Sequence, residues 1–204
     1  HQEEAIKDVL NGLKDNDKGQ VLMACGTGKT LTALWIKERL KAENVLVLLP
    51  SLSLLSQTLK EWNKASKDKF KWICVCSDKS VAKEDKSNDD WISNTSDIGI
   101  PVTSSTDDIK KFIFEKGSKI IFSTYQSSPL IVDAQKDSNI PPFEIIFADE
   151  AHRCAGKVSK AFSCVLDEKK IRSKKRLFFT ATPIVLSNQI KGKAEINDIE
   201  VASM

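Results

Sequence analysis

Short, mostly apolar runs recur along the chain, and stretches with a longer hydrophobic period separate them. Continuous apolar runs of this kind are typical of strands that are buried on both faces, as in a parallel sheet. Between the runs, apolar residues recur every three or four positions, which is the period of an amphipathic helix. The alternation predicts an α/β fold with a mainly parallel β-sheet sandwiched between helices. The predicted strands cover residues 21–24, 45–49, 72–76, 119–122, 143–148 and 176–179.

The predicted helices follow from the same periodicity. In the first of them, Ile6, Leu10 and Leu13 lie on one face, and a polar stretch that ends in Gly19 breaks the pattern. The predicted helices cover residues 2–15, 29–43, 52–65 and 158–166, with a shorter helix from residue 107.

Residues 77–106 differ from the rest of the chain. They are polar, rich in Ser, Asp and Asn, and have only weak periodicity. A segment of this length without regular structure usually serves a function or is mobile, so we predict a long loop or excursion here. A chain of 204 residues, 41% of them hydrophobic, is long enough for one good core. We therefore predict a single domain over residues 1–204, with the excursion attached to it.

A glycine-rich loop follows the first predicted strand. Glycines allow a chain to turn so that successive backbone N–H groups point at phosphate oxygens, and the helix that follows adds its positive dipole end. In such a P-loop, Lys29 reaches the β- and γ-phosphates and the Thr30 hydroxyl is a ligand of Mg²⁺. The strict pattern requires Gly where this chain has Met23, but the strand before the loop and the helix after it favour the P-loop over a simple turn. The predicted nucleotide contacts are Gly26, Thr27, Gly28, Lys29 and Thr30.

Two carboxylates, Asp149 and Glu150, come directly after the predicted strand 143–148. Open α/β sheets bind ligands beyond the carboxyl ends of their strands, so this pair and the P-loop are expected to meet in one crevice. Asp149 is suited to holding Mg²⁺ through its water shell, and Glu150 to deprotonating the water that attacks the γ-phosphate. An isolated Asp-Glu pair is more often a solvated turn, but the buried strand and the P-loop favour a catalytic pair.

Composition narrows the class of protein only modestly. The chain has 31 Lys and Arg and 28 Asp and Glu, a formal net charge of +3, which neither requires nor excludes a nucleic-acid partner. Its five cysteines lack the paired spacing of a zinc site. Because no apolar stretch approaches the ~20 residues needed to span a bilayer, we expect a cytoplasmic protein with no membrane partner. Since the chain begins at His1, we also expect it to be a piece of a longer protein.

Taken together, these blocks resemble the first RecA-like lobe of superfamily 2 helicases and translocases of the DEAH-box kind, over nearly the whole chain. Residues 25–30 correspond to motif I, Asp-Glu-Ala-His at 149–152 to motif II, and Thr-Ala-Thr at 180–182 to motif III. The resemblance implies an ATP hydrolase of the helicase or translocase class that uses ATP and Mg²⁺.

The resemblance also implies roles for residues outside the two phosphate motifs. Gln2, upstream of the P-loop, resembles the glutamine that recognises the adenine edge, for which an amide offers both a donor and an acceptor. An ordinary surface glutamine is the alternative. His152, Thr180 and Thr182 are implied to couple the nucleotide state to the grip on the polymer.

Two further segments resemble the nucleic-acid contacts of this lobe. Residues 50–51 follow the second strand and resemble motif Ia, and residues 123–127 resemble a later motif. Hydroxyls, amides and helix N-termini contact phosphates without reading sequence, as a motor on arbitrary sequence requires. A simple turn cap is the alternative for each. The implied nucleic-acid contacts are Pro50, Ser51, Gln57, Thr124, Tyr125 and Gln126.

A narrower group is also similar to this chain. Residues 122–129 and 148–156 look like the bacterial restriction-type helicases of the type I, III and ISP kinds, in which the motor is fused to a nuclease and sometimes to a methyltransferase. The resemblance implies movement on duplex DNA, and a second RecA-like lobe whose arginines complete the ATP site. Such an arginine contributes on the order of 10³–10⁵ in rate, so the isolated chain is expected to be nearly inactive.

Other functions remain open at this point. Asp-Glu-Ala-His also occurs in RNA-processing enzymes, so an RNA helicase lobe is one alternative. A non-catalytic, nucleotide-dependent scaffold is another, although intact Lys29, Thr30, Asp149 and Glu150 argue against it. Small-molecule kinases carry P-loops too, but they do not require the later two motifs in this order.

Overall fold

The computed structural model describes residues 1–24, 26–76, 101–150, 165 and 167–181, and these form one seven-stranded sheet with helices packed on it. The strands are β1 (Lys18–Leu22), β2 (Asn44–Leu49), β3 (Lys71–Val75), β4 (Val102–Thr103), β5 (Lys119–Thr124), β6 (Phe143–Ala148) and β7 (Ser173–Thr180). The helices are α1 (Gln2–Asp15), α2 (Lys29–Leu40), α3 (Leu52–Ala65), α4 (Thr106–Ile113) and α5 (Ser128–Gln135), and a 3₁₀ turn (Tyr125–Ser127) joins β5 to α5.

The strand order is β1-β7-β6-β2-β5-β3-β4, and every pair of neighbouring strands is parallel. Parallel neighbours need crossover connections, and within the described residues α2, α3, α4 and α5 each lie between two successive strands. Because all strands run in one direction, their carboxyl ends lie along one edge, which is where such sheets bind ligands. Along that edge the segments after β1, β7, β6, β2 and β5 follow one another.

The central strand β2 shows why the sheet has helices on both faces. All six of its residues are buried. Val45, Val47 and Leu49 pack in the core that includes Leu34 of α2 and Leu55 of α3. The alternate residues of β2 pack instead with residues of α4 and α5, in a second core. The predicted α/β fold with a mainly parallel sheet between helices is thus confirmed.

The predicted carboxyl boundary of the excursion 77–106 is wrong. Val102 pairs in parallel with Cys74, so β4 extends the sheet edge, and α4 begins at Thr106. The Ser105 side chain caps that helix by accepting from the backbone N–H of Asp108 at 3.2 Å. A two-residue strand has too short a pattern to be seen in sequence. Residues 77–100 and most of the predicted helix 158–166 lie outside the described residues.

The pattern analysis did not predict α5. This helix is only eight residues long, and its apolar residues form a nearly continuous run rather than one face. Pro129 stands in its first turn, where proline is favoured because its missing N–H has no helical partner there. That start signal was available in the sequence.

The described residues bear on two features that composition raised, membrane-spanning helices and cysteines. Within the described part of the chain, no helix combines the length and apolar character needed to cross a membrane. Cys74 and Cys76 are buried, and burial raises the pKa of Cys74 to about 12, so its thiol stays protonated and unreactive.

Arg176, in the middle of β7, is a buried charge that is only 2% exposed. Its guanidinium donates to the carbonyl oxygens of Val165 and Ile171 and, at 3.2 Å, to the Ser173 hydroxyl. Burial lowers its pKa, since the charged form loses water. Its hydrogen bonds hold the chain that enters β7.

Replacing this buried cation is expected to destabilise the fold. Arg176→Leu leaves the two carbonyl oxygens without their donor, and we expect a loss of about 3 kcal/mol in the free energy of unfolding. Urea denaturation measures it, with Lys174→Leu as the control, because Lys174 lies on the same strand with a 66% exposed side chain. Equal midpoints for the two variants would contradict this structural role.

Candidate nucleotide-binding site

The predicted motifs meet along the carboxyl edge of the sheet. The glycine-rich loop follows β1, the Asp149-Glu150 pair follows β6, and β7 lies between these two strands. The backbone N–H of Met23 donates to the Thr180 carbonyl at 3.1 Å, and that of Asp149 donates to the Leu48 carbonyl at 2.9 Å. Main-chain pairing thus continues beyond β1 and β6 and holds both motifs against neighbouring strands.

The loop after β1 contains two glycines with left-handed backbone conformations. Gly26 has φ 76° and Gly28 has φ 88°, values that side-chain-bearing residues rarely adopt. The Thr27 hydroxyl donates to the Ala24 carbonyl at 2.7 Å and closes the turn. Gly28 is the N-cap of α2, so the first N–H groups of the helix meet no capping side chain. Such an N-terminus is a ready anion site.

Lys29 and Glu150 form an ion pair, although 121 residues separate them. Lys29 Nζ lies 2.6 Å from Glu150 Oε1, and the two side chains are 10% and 19% exposed. Glu150 has φ 49°, and only one other described non-glycine residue has a positive φ. Strained conformations of this kind persist where the surroundings enforce them, often at functional sites. The contact brings the glycine-rich loop and the carboxylate pair into one site.

The two predicted Mg²⁺ ligands line the same small cavity beside the Lys29–Glu150 contact. Thr30 and Asp149 line it together with Lys29, and most of the remaining lining is apolar, including Trp62 and Phe147. One carboxylate and one hydroxyl fit Mg²⁺, which keeps several waters and takes phosphate oxygens as further ligands. Among the described residues there is no group of three or more His, Cys, Asp or Glu that could hold a metal by themselves.

Gln2 lies against the glycine-rich loop. Its Nε2 donates to the Thr27 carbonyl at 2.9 Å. A Cβ added at Gly28 would lie 2.0 Å from the same nitrogen, so the amide rests directly on that glycine. The predicted adenine contact stays a prediction, and the side chain lies against the glycine-rich loop.

The segment after β2 places only part of its predicted polymer contacts at the surface. Pro50 and Ser51 are buried, and the Ser51 hydroxyl accepts from the Leu54 N–H at 3.3 Å as the cap of α3. Gln57 is exposed and its Nε2 donates to Glu61 at 2.8 Å. The capping alternative therefore describes Ser51, and Gln57 remains accessible to a polymer.

The segment after β5 is buried more deeply. Thr124 and Tyr125 have no exposed surface. The Thr124 hydroxyl is 3.0 Å from that of Ser127, and the Tyr125 hydroxyl donates to the Asp149 carbonyl at 2.6 Å. Gln126 is half-buried, and its Oε1 is buried without a partner. Polymer contact by Thr124 and Tyr125 stays a prediction, and the burial of their side chains counts against it.

Of the predicted coupling residues, Thr180 is fully buried at the end of β7, between the two phosphate motifs. His152 and Thr182 lie outside the described residues, as does Cys25.

Trp62 is a site residue that the sequence analysis missed. It is fully buried on α3, and its indole N–H donates to the Thr30 carbonyl at 2.9 Å. Its ring lies edge-on to Phe122 and Phe147, with centroids 5.6 Å and 6.1 Å away. A buried tryptophan usually needs a partner for its N–H, which was the available signal, but nothing local identifies that partner.

Comparisons with known proteins agree with this geometry. A probable helicase of African swine fever virus is 32% identical over 184 residues, which are 90% of this chain and 19% of the viral protein. Among solved structures, the Type ISP restriction-modification enzyme LlaBIII bound to DNA is 37% identical with a TM-score of 0.76, covering 89% of this chain and 12% of that enzyme. A nuclease-deletion mutant of the Type ISP enzyme LlaGI, in complex with a DNA substrate mimic, is 37% identical with a TM-score of 0.71. The match covers 91% of this chain and 17% of the LlaGI chain.

A more distant structure shows the fold alone. The Hef helicase domain of Pyrococcus furiosus is 21% identical with a TM-score of 0.59, over 96% of this chain and 36% of that domain. The fold is that of a RecA-like helicase domain. The chain spans only about a fifth of its viral relatives, at 19% of their length. The model of one family matches residues 1–185, and the chain therefore belongs to that family, described as Type III restriction enzyme, res subunit.

Proposed function

We propose that this chain is the ATP-binding motor lobe of a DNA-dependent ATPase, a helicase or translocase that serves a restriction or phage-defence system. One observation carries the proposal: the 2.6 Å contact between Lys29 and Glu150 unites the phosphate cradle and the carboxylate pair in one cleft. The cofactors are ATP and Mg²⁺. The protein that carries the lobe works in the cytoplasm.

The ion pair supports a specific sequence of events. Lys29 and Glu150 neutralise each other when no phosphate is bound. On nucleotide binding, Lys29 exchanges the carboxylate for β- and γ-phosphate oxygens, which carry more charge, and Glu150 is released. Glu150 then accepts a proton from the attacking water as general base. The N–H groups at the start of α2 hold the phosphates, and Gln2 contacts the adenine.

Thr30 and Asp149 would hold Mg²⁺, directly and through its water shell. The metal, when bound, neutralises charge on the phosphate oxygens. The Glu150 N–H donates to Asp149 Oδ1 at 2.9 Å, which sets the orientation of that carboxylate.

Duplex DNA is the proposed polymer. LlaBIII was solved bound to DNA and LlaGI with a DNA substrate mimic, and both are 37% identical to this chain. Gln57, in the second turn of α3, is the accessible candidate contact. We also propose that a second RecA-like lobe completes the ATP site in the full-length protein. Nuclease and methyltransferase domains are its further proposed partners, and the chain alone is expected to turn over very slowly.

Steady-state ATP hydrolysis by the full-length protein tests the proposal. It is measured with no polymer, with duplex DNA and with single-stranded RNA, and Glu150→Gln serves as the blank. We expect strong stimulation by duplex DNA that the variant lacks. Stimulation by RNA alone would assign the lobe to RNA processing, and no stimulation by either polymer would favour a nucleotide-dependent scaffold.

A further inference from the structure

Two buried aromatic side chains hold the backbone of the two predicted Mg²⁺ ligands. The Tyr125 hydroxyl donates to the carbonyl oxygen of Asp149 at 2.6 Å, and the Trp62 indole N–H donates to the carbonyl oxygen of Thr30 at 2.9 Å. Neither aromatic side chain has any exposed surface. Both therefore act from inside the protein, through the backbone carbonyls that they hold.

Each aromatic comes from a segment that was expected to contact the polymer. Tyr125 is the first residue after β5, and Trp62 lies on α3, the helix that Ser51 caps. In the sheet, β2 separates β5 from β6, so Tyr125 reaches across the end of a strand to contact Asp149. The contacts thus join elements that do not adjoin in the sheet or in the sequence.

We propose that Tyr125 and Trp62 are positioning residues that set the Mg²⁺ ligands Asp149 and Thr30 and transmit to them the state of the segments expected to contact the polymer. This inference rests on the proposed function, since it concerns the metal and polymer that the lobe would use. A carbonyl and the side chain of its own residue share one Cα atom, so holding the carbonyl restricts the direction of the side chain.

The bend after β6 shows why such a restraint is needed. Glu150 has φ 49°, a conformation that a non-glycine residue keeps only where its neighbours enforce it. The Tyr125 hydroxyl holds the carbonyl immediately before that residue. Loss of this hydrogen bond weakens the restraint on the bend, and we expect both Asp149 and Glu150 to shift. A displacement of about 1 Å at a reacting group can cost on the order of 100-fold in rate.

Trp62 is restrained in turn by the sheet beneath it. Phe122 and Phe147, on β5 and β6, contact its ring edge-on, with interplanar angles of 77° and 79°. The indole cannot turn away from Thr30 without disturbing this packing. In α2 the Thr30 carbonyl is also within the helical hydrogen-bond ladder, so losing the indole donor is expected to matter less than losing the Tyr125 hydroxyl.

Tyr125→Phe in the full-length protein tests the inference, because it removes one oxygen and keeps the ring. The affinity of a fluorescent ADP analogue is measured with and without Mg²⁺, and ATP hydrolysis is titrated with Mg²⁺ with and without duplex DNA. We expect the half-saturating Mg²⁺ concentration to rise about five- to tenfold and stimulated kcat to fall about tenfold. Nucleotide affinity without Mg²⁺ should stay within twofold, and Mn²⁺ should restore part of the activity.

Two further variants keep the test specific. Thr32→Val is the control, because it also removes a buried hydroxyl. The Thr32 hydroxyl, on α2, has no hydrogen-bond partner, so its loss should leave the Mg²⁺ requirement unchanged. Trp62→Phe keeps an aromatic ring and removes the indole donor, and we expect a two- to fivefold rise in the Mg²⁺ requirement. If Tyr125→Phe does not yield folded protein, Trp62→Phe decides the question.

The outcomes separate this inference from the proposed function. A Mg²⁺ requirement within twofold of wild type in both variants overturns the inference, even if their melting temperatures fall. A wild-type protein that binds nucleotide with Mg²⁺ but is not stimulated by DNA overturns the proposed function, and the binding titration still decides the positioning role. A wild-type protein that binds no nucleotide overturns both.

Discussion

Glu150→Gln is expected to lower ATP turnover by about 10²–10⁴-fold, the usual contribution of a general base. Glutamine has nearly the same shape as glutamate, but its amide cannot accept the proton of the attacking water. The substitution also removes the negative charge that lies 2.6 Å from Lys29 Nζ before nucleotide binds. Lys29 is then free for phosphate, so nucleotide affinity should be unchanged or severalfold higher. Single-turnover hydrolysis and equilibrium binding of a fluorescent nucleotide measure the two effects separately.

The chain offers a matched control for this variant. Glu115 Oε2 lies 2.6 Å from Lys71 Nζ, in an ion pair of the same length that is exposed and outside the cleft. Glu115→Gln removes a carboxylate from such a pair and should change neither turnover nor affinity. Turnover by Glu150→Gln within threefold of wild type would exclude Glu150 as the base. Loss of nucleotide binding would instead indicate a structural role for the ion pair.

Gly28→Ala is expected to weaken nucleotide binding at least tenfold. Gly28 has φ 88°, where a Cβ costs roughly 1–2 kcal/mol. The added Cβ would also lie 2.0 Å from Gln2 Nε2, so Gln2 has to give up its hydrogen bond to the Thr27 carbonyl. The substitution thus disturbs the cradle and the predicted adenine contact together. Titration with a fluorescent ADP analogue measures the loss.

Gly117 provides the comparison for Gly28. It has the same φ of 88°, but a Cβ there would meet no atom within 4 Å. Gly117→Ala should cost a similar amount of stability without changing nucleotide affinity. Combining Gly28→Ala with Gln2→Ala removes the Gln2 amide that the new Cβ would overlap. Any recovery of nucleotide affinity then measures the part of the loss that this steric overlap causes. Equal affinities for Gly28→Ala and Gly117→Ala would show that the loop does not hold phosphate.

Much of the fold could be predicted because its signals are local. The run 143–148 is β6 to the residue, and the period of residues 2–15 is that of α1. The starts of two strands were predicted less accurately, at residues 21 and 176. In the structure β1 begins at Lys18 and β7 at Ser173, because polar residues also join the hydrogen-bonded ladder through their backbones. Main-chain pairing does not require an apolar side chain, so the hydrophobic pattern understates the length of such strands.

The sequence by itself determined which residues are candidates for the site. A strand, a glycine-rich turn and a helix start are local features, and so is a carboxylate pair after a buried run, which is why Lys29, Thr30, Asp149 and Glu150 could be proposed as site residues from their neighbours alone. The tertiary structure decided how these groups meet. It placed β7 between β1 and β6, paired Lys29 with Glu150, and turned Tyr125 and Trp62 inward to the backbone of the predicted metal ligands. These contacts join residues that are 24 to 121 positions apart, and sequence neighbours carry no record of such partners because burial and hydrogen bonding depend on the packed whole.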